Sequence, residues 1–380
     1  MDVSLIVVVV VVLTALAFDF TNGFHDTANA MATSIATGAL RPRAAVLLAG
    51  VLNLIGAFLS VQVALTISSG LVDEARIIPE VIFGGLVGAI LWNLLTWLLG
   101  LPSSSSHALF GGLIGATWVY AGSSAINPSV VVGKVLIPLV VSPIVAGLVA
   151  ATATALAYRL VARGDRRTTA RGFRSAQVVS ASMVALAHGT NDAQKTMGVI
   201  TLTLVTVGLL PGHAAPPLWV IVSAGLAIAA GTAMGGWRII RTLGRRISDI
   251  ESPQGFAAEA SSTAVILSSA HLGFALSTTQ VTTGAVLGAA AGRPRATVRW
   301  RVAGRMAAVW LLTLPAAATV GGLAAWAATA GTVGTVLVAI AMITVSGAIY
   351  GLSRRRPVTA ATVNELPPQP PVAVAARLAA

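Results

Sequence analysis

Two stretches of this chain carry groups that can do chemistry. Residues 22–29, Asn-Gly-Phe-His-Asp-Thr-Ala-Asn, and residues 188–195, His-Gly-Thr-Asn-Asp-Ala-Gln-Lys, each set a carboxylate among amides inside a long apolar run. Two further stretches are rich in hydroxyls: Ser103, Ser104, Ser105 and Ser106 follow Pro102, and Ser277, Thr278 and Thr279 follow Leu276. Carboxylates (Asp26, Asp192) and amide oxygens (Asn22, Asn29, Asn191) suit a hard cation, and an Asp can also take a proton. Hydroxyls and helix N-terminal N–H groups suit a tetrahedral oxyanion. Lys195 adds one fixed positive charge. A set with both kinds of group fits an anion moved together with a cation, because a dianion alone is too costly in a low-dielectric site.

The elements that must position these groups are membrane helices. The chain has 380 residues, 56% hydrophobic and 9% charged, with a mean hydropathy of +0.86. A soluble domain averages about 25% charged residues. Roughly ten apolar runs are expected to span the bilayer as one all-α polytopic unit. Residues 3–18 and 30–40 are apolar, and together with 19–29 they make a segment much longer than a hydrocarbon core of about 30 Å at about 1.5 Å per residue. The helix is therefore expected to break at Gly23, and the second motif to break its own helix in the same way. Irregular backbone at that depth is tolerated only where protein encloses it. A plainer reading makes Asp26 the cap of a new half-helix and points His25 at water; recurrence of the motif argues against it.

The net charge of +12 sits in short loops: Arg41 and Arg43, 159–174, 238–246, 293–305 and 354–356. That is the positive-inside pattern rather than a nucleic-acid footprint, so no nucleic-acid partner is expected. It places the N-terminus outside and the C-terminus in the cytoplasm of a plasma (inner) membrane protein. With Asp2 and no Lys or Arg before the first apolar run, no cleaved signal peptide is expected. There is no cysteine.

The motifs recur in order. Gly23 and Asp26 match Gly189 and Asp192 at an offset of 166, and Ser104 to His107 with Gly111 and Gly115 match 277–280 with Gly284 and Gly288 at 173. Two inverted-topology repeats with broken helices follow: an N-terminal repeat over 1–160, a basic cytoplasmic linker over 161–176, a C-terminal repeat over 177–352 and a Pro/Ala-rich disordered tail over 353–380. Such repeats place substrate and ion sites near the midplane. The two Ser/Thr stretches are read as tips of two re-entrant hairpins. A plainer alternative has their hydroxyls bonding across packed helices.

Taken together, the four motifs resemble the inorganic phosphate transporter family, over roughly residues 10–350. The resemblance implies inverted repeats, a central phosphate site and a homodimer. By it, Asp26, Asn29, Asn191 and Asp192 match the broken-helix positions, and Ser104, Ser105, Ser106, Ser277, Thr278 and Thr279 the phosphate-holding tips. Lys195 is assigned to phosphate, and Asn22 and Glu259 join Asp26 and Asp192 in cation or proton coupling. Glu259 reads equally as a solvated interfacial side chain. His188 and His271 are read as packed, hydrogen-bonded histidines. Three departures stand out: Ala275 and Gln280 occupy positions that are commonly Pro and His, and Lys195 replaces a small polar residue of sodium-coupled relatives. An ammonium there fills the place of Na⁺ or sits against phosphate, which favours proton symport, with a divalent metal–phosphate complex as a variant and Na⁺ still open. No cofactor is expected, and no metal site is assigned. The alternatives are a sulfate permease of the same fold and, remotely, an intramembrane hydrolase using Ser106, His107 and Asp26; the chain is read as no enzyme.

Overall fold

The computed structural model describes residues 3–163, 166–274, 276–293 and 298–365. In chain order the helices are α1 (Val3–Ala36), α2 (Pro42–Gly56), α3 (Gln62–Gly70), α4 (Pro79–Leu99), α5 (Ser105–Ala121), a short α6 (Pro128–Val130) running through a π turn into α7 (Ile137–Arg163), α8 (Arg166–Thr206), α9 (Leu218–Met234), α10 (Trp237–Arg241), α11 (Ser252–His271), α12 (Thr278–Ala291), α13 (Trp300–Ala328) and α14 (Thr332–Arg354). The protein is all-helical apart from one isolated bridge, Val72 to Ile126, among the described residues.

Five helical segments are long and apolar enough to cross a membrane: Leu5–Ala36, Pro79–Leu99, Pro128–Leu160, Trp300–Ala328 and Thr332–Arg354. A pair bent by 57°, Leu218–Met234 with Trp237–Arg246, makes a sixth. The expectation of about ten counted every apolar run. Several of those runs belong to helices that are short, such as α2 and α12, or diluted by polar side chains, such as α8.

The breaks do not fall where the sequence suggested. α1 runs unbroken for 34 residues through Gly23, and α8 for 41 residues through Gly189. Both glycines serve close helix crossing instead. A Cβ on Gly23 would collide with Ile228 O of α9, and one on Gly189 with Asn53 O of α2. The helices continue because the motif hydroxyls of Thr27 and Thr190 bond back to carbonyls one turn earlier, while Asp26 and Asp192 take partners that include side chains of α5 and α12. The interruptions lie one element later, between α2 and α3 and between α9 and α10. The freed N–H groups of Val63 and Ala64, at the start of α3, donate to Gln194 Oε1 of α8 at 2.8 and 3.3 Å. Gly235, at φ 76°, makes the second corner.

α1 and α8 lie antiparallel at the centre. Thr37 Oγ1 donates to Gln177 Oε1 at 2.8 Å near one end, and Asp19 faces Thr196 near the other. Around this pair, α9 and α4 pack on α1, α2 on α8, and α13 closes over α4 and α5. Apolar cores of Val, Ile, Leu and Ala flank the polar centre on both sides.

Candidate functional site

On α1, Asp19, Asn22, Asp26, Asn29 and Thr33 form one stripe, because spacings of three, four and seven residues return to the same helix face. All five are buried. The opposite face, with Phe20 and Phe24, lines an apolar cavity of about 700 Å³ together with Trp97, Trp237 and Tyr350. Most of that lining is apolar, and its Arg238 is already bonded to the carbonyls of Leu98, Ser353 and Arg356; the carboxylates and amides lie on the stripe.

Two turns of chain deliver hydroxyls to it. α4 ends at Gly100, whose φ of 66° reverses the chain, and Ser104 caps α5 by accepting from His107 N at 3.1 Å. α11 ends near Gly273, at φ 68°, and Ser277 caps α12 by accepting from Gln280 N at 3.2 Å. The same cap is built twice. It aims the N-terminal turns of α5 and α12, with their unpaired N–H groups and positive dipole ends, toward the acids. Ala275 lies outside the described residues.

The acids collect those hydroxyls. Asp26 Oδ2 accepts from Ser105 Oγ at 3.1 Å, and Asp26 Oδ1 accepts from Thr279 Oγ1 at 3.2 Å. Asp192 Oδ2 accepts from Thr278 Oγ1 at 3.0 Å. Asn29 Nδ2 donates to Thr279 Oγ1 at 3.1 Å, tying α1 to α12. Ser106 Oγ donates to Leu276 O at 3.2 Å, which joins the two turns directly. Each acid also has a cationic or imidazole neighbour. His25 Nδ1 lies 2.6 Å from Asp26 Oδ1, and its Nε2 faces Thr96 and Ser103 at 3.2 and 3.3 Å. Asp192 pairs with the Lys195 ammonium through Oδ1 and with His188 Nε2 at 2.9 Å through Oδ2. Ligating atoms of Asp26, His188 and Asp192 lie within 4.8 Å of one another, so three residues from two helices can reach one cation. His188 is buried and hydrogen-bonded as read from the sequence, with Nδ1 3.3 Å from Asn53 Oδ1, and its ring also borders the acid cluster, whereas His271 is exposed at the end of α11.

Residues 22–321 match the model of the phosphate transporter family. The chain belongs to that family. It is 61% identical over 322 residues to a probable low-affinity inorganic phosphate transporter of Mycobacterium tuberculosis, covering 84% of this chain and 77% of that one. It is 40% identical over 326 residues to another so described from Bacillus subtilis, covering 85% of this chain and 98% of that one. A solved structure described as the sodium-dependent phosphate transporter shares the fold, with a TM-score of 0.76 at 22% identity, covering 84% of this chain and 98% of that one. The protein is therefore a multi-pass membrane member of a transport family rather than an enzyme.

Several orphaned groups surround this transporter's acids. Both polar atoms of Asn22, Asn191 and Gln280, and Oδ1 of Asn29, are buried without a partner among the described residues. Buried amides left unpaired cost about 1–3 kcal/mol each, so their concentration here is unusual for a packed interior. Glu259 is 3% exposed, which rules out the solvated reading. Its Oε1 accepts from Thr33 (2.5 Å), Ser34 (2.6 Å) and Gln177 (3.3 Å), and its Oε2 from Ser180 (2.5 Å). It therefore knots α11 to α1 and α8, away from the acid pair.

Sequence reasoning missed Asp19. It is fully buried, and neither carboxylate oxygen has a hydrogen-bond partner among the described residues. The signal was available, since an Asp seven residues before Asp26 shares its helix face.

Proposed function

We propose that this protein imports inorganic phosphate by symport with a cation, a proton in preference to sodium. The observation that carries the coupling choice is the buried Lys195–Asp192 pair. Lys195 stands one repeat after Asn29, by the same offset of 166 that relates Asp26 to Asp192. The ammonium supplies at Asp192 the positive charge that a bound Na⁺ would otherwise bring. One sodium-type position is thus filled by the chain itself, and a proton remains as the mobile partner.

The phosphate cage in this reading consists of Ser105, Ser106, Thr278 and Thr279, the N-terminal N–H groups of α5 and α12 that Ser104 and Ser277 hold in place, and the amides of Asn29 and Asn191. Lys195 faces the cage from α8. Asp26, Asp192 and Asn22 hold the cation, and Glu259 latches the side on which α1 ends. A divalent metal carried with phosphate as cargo would fit Asp26, His188 and Asp192.

The wider reading keeps two inverted repeats over 1–160 and 177–352, joined by a linker over 161–176 and followed by a tail over 353–380. Four features support it: two capped turns of the same construction, α2/α3 and α9/α10 interrupted at corresponding places, antiparallel α1 and α8, and arginines gathered in alternate loops. It takes Pro102 to His107 and Ser277 to Gln280 as re-entrant tips, the N-terminus as outside, the C-terminus as cytoplasmic, and a homodimer in the membrane.

Reconstituted protein tests it. Uptake of ³²P-phosphate should be saturable, respond to an inward pH gradient and fail in Asp26→Asn and Asp192→Asn. Uptake driven by a Na⁺ gradient alone would reject the coupling choice. Saturable uptake surviving both substitutions would reject the site. The sulfate alternative has no observation in its favour, and ³⁵S-sulfate in the same assay checks it.

A further inference from the structure

We propose that Asp19 is a proton-loading station distinct from the phosphate cage, placed about two helical turns from Asp26 toward the start of α1. The inference rests on the proton-symport reading and adds a residue and a place to it.

The first observation is isolation. Asp19 has no exposed surface, and neither of its oxygens has a hydrogen-bond partner among the described residues. The Thr196 hydroxyl that faces it from α8 is also unpartnered. Every other buried acid in this seam is engaged: Asp26 by His25, Ser105 and Thr279, Asp192 by Lys195, His188 and Thr278, and Glu259 by four donors. A lone ionised carboxylate in a low-dielectric interior is too costly to persist, so Asp19 holds a cation of its own.

The second observation selects the proton. A metal ion needs a shell of several oxygens. α1 and α8 are continuous helices past this point, so their carbonyls are committed to intrahelical bonds. Within one turn of Asp19 on α1, and facing it from α8, the unpartnered side-chain oxygens are those of Asn22 and Thr196. A carboxylic acid needs much less. Its one O–H can donate to the Thr196 hydroxyl.

The third observation is the route onward. The ionisable groups facing Asp19 from packed elements are Lys195 and Asp192 on α8. α9 carries none, α4 has only Glu80 in its first turn, and α2 has only Arg43 in its own. The Lys195 ammonium is bonded to Asp192 and its charge also reaches Asp19. Asp19, Asp26 and Thr33, the last bonded to Glu259, recur every seven residues on one face of α1, a rise of about 10.5 Å per step. Carboxyl stations thus stand along the α1–α8 seam before, at and beyond the cage. In the loading step the Asp19 carboxylate takes a proton from water on the side where α1 begins and becomes a neutral acid. In release it gives that proton toward the cage and is again a carboxylate, with Lys195 near enough to compensate its charge.

The test uses the full chain in proteoliposomes, comparing wild type, Asp19→Asn and Asp19→Glu. ³²P-phosphate is followed as accumulation under an inward pH gradient, as accumulation under a Na⁺ gradient, and as phosphate–phosphate exchange at equal pH. Exchange needs the cage but no net proton movement. Asp19→Asn is expected to lose pH-driven accumulation and keep exchange. Asp19→Glu is expected to keep both, with a shifted pH midpoint. pH-driven accumulation surviving in Asp19→Asn overturns the proposal, and so does loss of exchange together with accumulation in a monodisperse Asp19→Asn protein. If the amide variant does not fold, an Asp19→Glu pH profile superimposable on wild type overturns it. Wild-type uptake driven by Na⁺ and indifferent to pH would instead bring down the symport reading itself.

Discussion

The Lys195 ammonium is hydrogen-bonded to Asp192 Oδ1 from three residues further along α8, and both side chains are completely buried. Two charges removed from water are held there by each other, by His188 and by Thr278. Such a pair is weak evidence for stability but strongly coupled, since removing one partner strands the other.

Lys195→Met should therefore destabilise the protein by about 3–5 kcal/mol, whereas Lys195→Met with Asp192→Leu should regain most of that loss. Thermal or denaturant unfolding of the detergent-solubilised variants measures it. A single variant as stable as wild type would mean the two charges do not depend on each other.

Lys195→Asn asks a different question of the same place. The amide removes the built-in cation and restores the symmetry with Asn29. Phosphate uptake should then acquire Na⁺ dependence, because Asp192 needs a positive neighbour. Flux measured across a Na⁺ series decides this, and uptake unaffected by Na⁺ counts against the stand-in role.

Glu259 gathers four donors from two helices. Glu259→Ala would orphan them at about 1–3 kcal/mol per unsatisfied group, and Glu259→Gln should cost less because it retains an acceptor oxygen. If the knot latches one side of the transporter, Glu259→Gln should slow net flux while leaving phosphate-protected thermal stability intact. An equal loss of phosphate protection would place Glu259 in the cage.

Ser104 and Ser277 act as helix caps, so Ser104→Ala and Ser277→Ala should each cost about 1 kcal/mol of stability. Asp substitutions, which also cap, should restore stability but raise the KM for phosphate, by setting a negative charge beside the anion. A KM unchanged in Ser104→Asp would show that the turn does not face phosphate.

Gly23→Val tests the helix crossing. Its Cβ would meet Ile228 O, and α9 would have to move at a cost of about 1–3 kcal/mol. A variant with wild-type stability and flux would contradict so close a packing of α1 on α9.

Much of this protein was readable without coordinates. The membrane class follows from the scarcity of charge. The site follows from four polar motifs that recur in order, since carboxylates and clustered hydroxyls are too costly in an apolar helix unless they meet one another. Asp26 with Thr279, and Asp192 with Thr278, meet as the motifs implied. Periodicity could not decide the backbone at those motifs. A Gly beside Asn and Asp reads equally as a break or as a place where another helix passes, and only the position of Ile228 O or Asn53 O tells them apart. Nor could it decide the partners of single buried groups. Glu259 finds four donors, Asp19 finds none, and Lys195 takes Asp192. Which acid carries a partner and which stands alone depends on how helices far apart in the chain align, and tertiary packing alone sets that alignment.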